Sequence, residues 1–430
     1  MKRRVTSSRI LMLLENNSFP EDRRVALEAQ SLVEAGFKVT VICPTGYSRR
    51  WSDHAVGAKV YRYPATWESN GFVGYVWEYA YSLCMMCFLS VFVWIRHGFD
   101  VVHVHTPPDL TGLIGVFYQL FGKKFVFDHH DLSPELYLAR RDSDDPNVVY
   151  RVLLSVERFV VRRADKLIST NETQQQVHLN RCGVNQQRCV IVRNGPSEKF
   201  LGKVDAVDDV KRRGKLVLGY VGVIGVQDGV DYMVRVVHDL KYKQRREDFI
   251  AVIVGDGSAL PHLRRLAVEL DVLDEIVFTG ALPFSSVPMQ VASFDICLTP
   301  DPSNAYNDSC TTIKTMEYMS LRKPTVCFQT HENMVTAGDA ALYAERNDVD
   351  SFVEQTVKLM DDRERRVALG RLARQRIENG LTWEHQAKIL VAMYGDLLDH
   401  DVATLNSSIQ DDSLQALEQE KLDEQQATVC

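Results

Sequence analysis

The segment Asn307-Asp-Ser-Cys-Thr-Thr-Ile-Lys-Thr-Met-Glu-Tyr-Met-Ser gathers chemistry-bearing residues at what reads as the start of a helix. Ser309, Thr311 and Thr312 offer caps and leave first-turn N–H groups to an anion, while Lys314 and Glu317, three apart, share one face. A cation for a diphosphate beside a carboxylate for ribose or sugar hydroxyls would make a nucleotide-sugar site. An ordinary ion pair over a capped helix has the same pattern. Three glycine turns accompany it. Gly219-Tyr-Val-Gly222-Val-Ile-Gly225-Val-Gln-Asp-Gly229 leaves a strand and enters a helix, where backbone N–H groups could approach an anion. Val254-Gly255-Asp256-Gly257 and Phe278-Thr279-Gly280 close the next two strands and let a flat base or sugar near the main chain. Earlier in the chain, Phe127-Asp-His-His130-Asp131-Leu-Ser-Pro-Glu135 stands at a strand end, where His130 and Asp131 could contact a sugar or move a proton. His103 and His105 alternate along the preceding strand. No metal-binding helix or cysteine partner accompanies them, so no metal centre is expected.

Several classes are excluded. The loop after the first strand, Glu15-Asn-Asn-Ser-Phe-Pro-Glu-Asp-Arg-Arg24, has neither a Walker pattern nor G-x-G-x-x-G, which argues against a P-loop ATPase and a dinucleotide dehydrogenase. The nine cysteines are odd in number and irregularly spaced, which fits reduced thiols in a cytoplasmic protein better than a disulfide framework. Cys84-x-x-Cys87 lies in an apolar run with no second pair, as core or membrane-facing cysteines would. The composition, 45% hydrophobic and 25% charged, is that of an ordinary globular chain, and a net charge of −7 does not suit a nucleic-acid specialist. Ile10 to Leu14 is too short an apolar core for a signal peptide and reads as a first strand.

These residues need strand ends to position them. Strand-like runs alternate with amphipathic helix-length segments throughout, implying parallel sheets covered by helices. Strands are expected at Ile10–Glu15, Lys38–Cys43, Val60–Tyr63, Val101–His105, Lys124–Asp128, Lys166–Thr170 and Val190–Arg193, and again from Lys215 to Val221, Phe249 to Val254, Glu275 to Thr279, Ile296 to Pro300 and Thr325 to Gln329. The architecture is α/β: two Rossmann-like doubly wound lobes in tandem, with ligands beyond the carboxyl ends of the strands. Residues 1–195 form the first lobe, 196–213 a linker, 214–382 the second lobe, 383–400 a C-terminal helix that could cross back to the first, and 401–430 an acidic disordered tail.

Taken in order, Phe19-Pro-Glu-Asp-Arg-Arg-Val, Glu28-Ala, Asp128-His-His-Asp-Leu-Ser-Pro-Glu, Val192-Arg-Asn-Gly195, the Gly222–Val230 turn, Val254-Gly-Asp-Gly, Phe278-Thr-Gly and Met316-Glu-Tyr-Met-Ser-Leu-Arg-Lys-Pro324 resemble a retaining glycosyltransferase of family 4. The likeness runs from about Arg9 to Asp399. It implies a GT-B fold, two lobes facing a central cleft, and transfer of a sugar from a nucleoside diphosphate with retention and without a metal or other cofactor. It implies that Glu317 holds the donor ribose, that the 309–312 turn faces the diphosphate, and that His130 sits at the reacting sugar. Gly222, Gly225, Gly255, Asp256, Gly257, Thr279, Gly280, Asp308 and Lys314 would line the donor, and Asp22, Arg23 and His130 the acceptor. Two features depart from the family. The earlier of two spaced glutamates is replaced by Ser309, with Asp308 beside it, and Val223 and Asp228 stand where many members carry Arg and Lys. Lys314 is then the nearest cation, with Arg23 or Arg24 as others. A non-catalytic scaffold subunit or a nucleotide-sugar epimerase on the same fold remain alternatives.

Charge distribution adds a location. Residues 1–200 hold 25 bases against 20 acids, residues 201–400 hold 24 against 30, and the tail holds one base against seven acids. The basic first lobe carries the apolar run Leu83 to Ile95, short of the roughly 20 residues a bilayer span requires. It fits a buried helix or one lying in a membrane interface. The expected enzyme is cytoplasmic, peripheral on the inner face of the plasma membrane, and acts on a lipid-linked or glycan acceptor in cell-surface or exopolysaccharide synthesis.

Overall fold

A computed structural model describes residues 8–66, 72–141, 145–207 and 214–399. The tail expected at 401–430, and part of the linker expected at 196–213, lie outside the described residues. Two compact units emerge. One comprises the chain up to Ser133, Val152–Val192 and the segment from Ala387, and the other Pro134–Arg151 and Arg193–Gln386. Pro134–Arg151 thus groups with the second unit, away from its neighbours in sequence.

The first unit holds β1 (Arg9–Leu13), β2 (Lys38–Pro44), β3 (Ser52–Ala55), β4 (Ala58–Tyr63), β5 (Val101–His105), β6 (Lys124–His129), β7 (Lys166–Ser169) and β8 (Cys189–Ile191), in the sheet order β3-β4-β2-β1-β5-β6-β7-β8. The ladders are parallel except β3 with β4, a short polar edge hairpin around Val56-Gly57. β1 and β5 are buried along nearly their whole length, as parallel strands covered on both faces must be. Helices α1 (Arg23–Glu34), α2 (Phe72–Arg96), α3 (Gly112–Gln119), α4 (Ser133–Arg140), α5 (Val148–Arg163) and α6 (Glu172–Asn180) follow in this half of the chain. α2 packs on the sheet through Met86, Leu89 and Val93, spaced for one face and fully buried, each contributing roughly 2 kcal/mol of burial.

The second unit holds β9 (Leu216–Val221), β10 (Phe249–Val254), β11 (Ile276–Gly280), β12 (Ile296–Thr299), β13 (Thr325–Phe328) and β14 (Ala341–Ala344), ordered β11-β10-β9-β12-β13-β14 and all parallel. Around it run α7 (Val230–Tyr242), α8 (Leu260–Glu269), α9 (Val287–Ser293), α10 (Ile313–Ser320), α11 (His331–Ala337), α12 (Val349–Asp361) and α13 (Arg363–Arg376). The final helix, α14 (Trp383–Leu398), enters the first unit at Ala387, where the Tyr394 ring lies 5.6 Å from Phe37. Both sheets are doubly wound. Sequence periodicity missed β3, α4, α11 and β14, which are short, polar or alanine-rich.

Candidate active site

In the second sheet the strand order reverses between β9 and β12, and doubly wound sheets take ligands beyond the strand ends at such a point. The glycine turn 222–225 follows β9, and Pro300-Asp301 follows β12. Lys314 of α10 reaches both. Its Nζ donates to Asp301 Oδ1 at 2.8 Å and to the Tyr220 hydroxyl at 3.2 Å, lies 3.6 Å from Asp228 Oδ1, and stands 4.8 Å from the Tyr220 ring centroid. Burial opposes its charge, but Asp301, Tyr220 and Asp228 outweigh it and hold the ammonium well above its ordinary pKa. Burial pushes the Asp228 carboxyl up against the pull of Lys314. Two carboxylates therefore surround one ammonium, a correction to the expectation of an open cation for a diphosphate paired with Glu317. Glu317 itself is buried on α10. That helix is pinned by Tyr318, whose hydroxyl accepts from the Val221 N–H at 2.7 Å, and by Thr315, 3.2 Å from the Thr299 hydroxyl.

The glycine turn does not leave its amides open. Gly222 N–H donates to the Val254 carbonyl at 3.0 Å, Ile224 N–H to the Asp256 carbonyl at 3.0 Å, and Gly225 N–H to Asp228 Oδ2 at 3.0 Å. The expectation that Gly222 and Gly225 offer N–H groups to an anion is corrected accordingly. Gly255 and Gly257 serve close packing: at φ +145° and +158° they sit where a Cβ would come within 1.9 Å of the Gly222 carbonyl oxygen and 2.4 Å of that of Ile224. Asp256 is exposed and accepts from the Gly257 N–H; the Thr279 hydroxyl donates to the Gly280 carbonyl at 2.8 Å.

Along 308–312, Asp308 accepts from the Ser303 hydroxyl at 2.9 Å, Ser309 donates to the Tyr306 carbonyl at 2.7 Å, and Thr311 to Glu332 Oε2 at 3.2 Å. Thr312 is the N-cap residue of α10, but its hydroxyl meets Thr315 at 2.9 Å and makes no cap bond. Arg193 Nη1 lies 3.6 Å from Glu332. Asp301 and Glu332 were not singled out in the sequence, and Tyr220 and Arg193 stood there only as members of longer motifs.

In the first unit, β5, β6 and α1 build a charged cluster in the interior. Arg24 lies against both Glu28 Oε1, at 3.0 Å, and Asp128 Oδ1, at 3.1 Å, and donates to the Val192 carbonyl at 3.0 Å. This corrects Arg24 as a candidate diphosphate cation. His105 Nδ1 lies 3.4 Å, His103 Nε2 3.8 Å and His130 Nε2 3.0 Å from Asp128 Oδ2. The Tyr394 hydroxyl is 2.9 Å from His103 Nδ1, and donating there leaves the His103 proton on Nε2, facing the carboxylates. Burial and the Asp128 charge push Glu28 well above the carboxylate range. Burial would also raise Asp128, but the Arg24 guanidinium, foremost among the groups that oppose it, helps to hold it well below the carboxylate range. Among the described residues, Glu28, His103, His105 and Asp128 place ligand atoms within 4.8 Å of one another, a spacing that could hold a metal. Here the positive charge beside both carboxylates is the Arg24 guanidinium.

Asp22, assigned to the acceptor, caps α1 by accepting from the Val25 N–H at 3.1 Å; Arg23 is exposed and Asp131 half-buried. Glu15 follows β1, where the first sheet reverses between β1 and β5, and is 7% exposed. Burial raises its carboxyl from 4.5 to about 7, with Ser82 opposing and Glu78 adding. Folding therefore favours the protonated form, so this contribution is complete below pH 4.5 and is lost as pH rises through about 7. Glu15→Gln is expected to flatten the fall in melting temperature over that range and to gain about 3 kcal/mol at pH 8. An unchanged pH dependence would sink the assignment.

Two doubly wound units of this kind, each with chemistry at its strand ends, define the GT-B class. Residues 22–195 match the model of a glycosyl transferase 4-like domain and residues 215–362 that of glycosyl transferases group 1. The chain is a glycosyltransferase of the GT-B type. It is 24% identical over 310 residues to the 2-deoxystreptamine glucosyltransferase of Streptomyces kanamyceticus, covering 70% of this chain and 78% of that one. In fold it is similar to sucrose-phosphate synthase from Thermosynechococcus elongatus, with a TM-score of 0.74, 15% identity and coverage of 91% of this chain and 99% of that one. It is also similar to an Anabaena HepE in complex with UDP and glucose, with a TM-score of 0.67, 14% identity and coverage of 91% and 99%.

Proposed function

We propose that the protein is a retaining transferase that works at an anionic membrane surface, moving a sugar from a nucleoside diphosphate to a lipid-linked or glycan acceptor in cell-surface polysaccharide synthesis. The donor is held by the second unit around Glu317 and the 309–312 turn, and His130 meets the reacting sugar. The departing diphosphate is stabilised by hydrogen-bond donors and cations, with no metal cofactor.

The observation that carries the membrane reading is the outer side of α2. Its segment Trp77–Arg96 has a mean hydropathy of 1.6 and the length and composition of a membrane-crossing helix, yet only 28% of it is buried. One side is locked into the core through Met86, Leu89 and Val93, which opposes spanning. On the other, Phe88 is 65% and Ile95 81% exposed, together with Trp77, Val91 and Phe92. The band continues onto α3 and the turn after it through Phe117, Leu120 and Phe121, with Phe121 4.9 Å from Trp94, and reaches Trp51, 6.4 Å from Phe92. Exposed Arg49, Arg50, Arg96 and Lys124 adjoin it in sequence. An apolar band bordered by cations suits insertion among anionic headgroups. A relative named as a 2-deoxystreptamine glucosyltransferase supports the transferase reading without fixing the acceptor.

The scaffold reading keeps one observation in its favour: Lys314 is caged, and the 222–225 amides are engaged. A single series separates the two. UDP and UDP-sugars are expected to raise the melting temperature, Glu317→Ala to abolish that rise, and the protein to pellet with phosphatidylglycerol vesicles at low salt. Phe88→Glu with Ile95→Glu should end pelleting and spare the UDP response. Neither transfer nor hydrolysis across a panel of nucleotide sugars, and no stabilisation by any nucleoside diphosphate, would refute the enzyme. Retention is read from the anomeric configuration of the product.

A further inference from the structure

We propose that Asp128 is a positioning residue: it holds the proton of His130 on Nε2, so that Nδ1 is the acceptor presented to a hydroxyl of the reacting sugar. The inference rests on the transferase reading above and adds the device that prepares His130 for it.

His130 enters from the end of β6 with its main chain held at both polar groups. Its N–H donates to the Thr106 hydroxyl at 3.3 Å, and its carbonyl accepts from Gln174 Nε2 at 2.8 Å. With the backbone fixed, the ring directs Nε2 inward, 3.0 Å from Asp128 Oδ2 and 3.5 Å from His105 Nδ1. A neutral imidazole has one N–H, and its place follows from the neighbour of each nitrogen. A carboxylate oxygen can only accept, so the nitrogen facing it carries the proton. Arg24 pairs with Asp128 as a carboxylate: its Nη2 donates to Oδ1 at 3.1 Å and to Oδ2 at 3.3 Å. The Asp128 side chain is fully buried and cannot touch substrate, whereas the side chain of His130 is 14% exposed. Among the described members of this cluster His130 has the most exposed side chain, and the nitrogen it has left for a ligand is Nδ1. A lone pair fixed in advance spares the ordering of a rotamer and a tautomer when substrate binds.

The test uses the full chain as wild type, Asp128→Asn, His130→Gln and the double variant. In ¹⁵N-histidine-labelled wild type, with the His130 signals identified by their loss in His130→Gln, Nε2 is expected to appear protonated and Nδ1 unprotonated. Asp128→Asn should mix the two forms. For transfer, Asp128→Asn is expected to lower kcat about 10- to 100-fold, as loss of a charge-assisted contact does, and to leave the donor KM within about threefold. In the His130→Gln background the same substitution should be silent, because its effect runs through His130. An equal loss with and without His130 would show a merely structural role and overturn the inference. So would a proton on Nδ1 in the wild type, or a stoichiometric metal ion purifying with the protein and lost on Glu28→Gln. A wild type that transfers no sugar overturns the transferase reading instead, while the tautomer is still decided by the wild-type spectrum. That measurement needs no variant of Asp128 to fold.

Discussion

Replacing Arg24 with alanine is expected to cost the first unit about 3–5 kcal/mol at pH 8, the range for removing one partner of a buried ion pair. The guanidinium answers two fully buried carboxylates at once, 3.0 Å from Glu28 and 3.1 Å from Asp128, and satisfies the Val192 carbonyl besides. Its loss leaves Asp128 without the chief influence that opposes burial, so that carboxyl must also take up a proton or remain charged in the interior. The sign of the pH effect follows. A carboxyl whose pKa rises on folding favours the fold at low pH, so the deficit is largest at pH 8 and shrinks toward pH 5. Urea denaturation of Arg24→Ala at both values checks this. A deficit that is the same at both, or below about 1 kcal/mol, would mean that the cluster is not held by this residue.

Lys314→Ala carries the second large effect, again about 3–5 kcal/mol near neutral pH. The variant leaves Asp228 and Asp301 facing each other across the reversal point of the second sheet without their ammonium, and strips the Tyr220 ring of its cation. Two carboxylates sharing a largely buried site resist joint ionisation, so stability should again recover on acidification. Removing the demand for the cation should help as well: Asp228→Asn added to Lys314→Ala is expected to restore more than half of the loss. If the double variant is as unstable as the single one, Asp228 is not the residue that makes the lysine necessary.

Both predictions depend on contacts that the sequence could not reveal. Continuous apolar runs located most strands within a residue or two, because burial on both faces leaves an unbroken apolar record. It was silent for β3, whose Ser-Asp-His-Ala is an exposed edge, and for β14, whose Ala-Leu-Tyr-Ala has weak strand propensity. At the site, the alternation of His103 and His105 was visible, and so was the strand end carrying His130. Nothing in spacing joins these to Arg24 and Glu28, which arrive from a helix more than seventy residues earlier. The i,i+3 spacing of Lys314 and Glu317 suggested a local pair, but charge in the folded chain was settled by Asp301 and Asp228, from two other loops. Asp22, which the resemblance gave to the acceptor, is the N-cap of α1, and the signal that could have found this is an aspartate just before an amphipathic run.

The paired glycine turns bear on how such an enzyme can change. Gly255 and Gly257 leave no room for a side chain, and the main-chain bonds of Gly222 and Ile224 fasten one turn to the other. With the donor placed as proposed, new sugar or base preferences would come from side chains set around this platform, such as Val223, Val226, Asp256 and residues 302–312, while its backbone stays as it is. A mutational library spent on those positions would explore selectivity, and one spent on the glycines would mostly return misfolded protein.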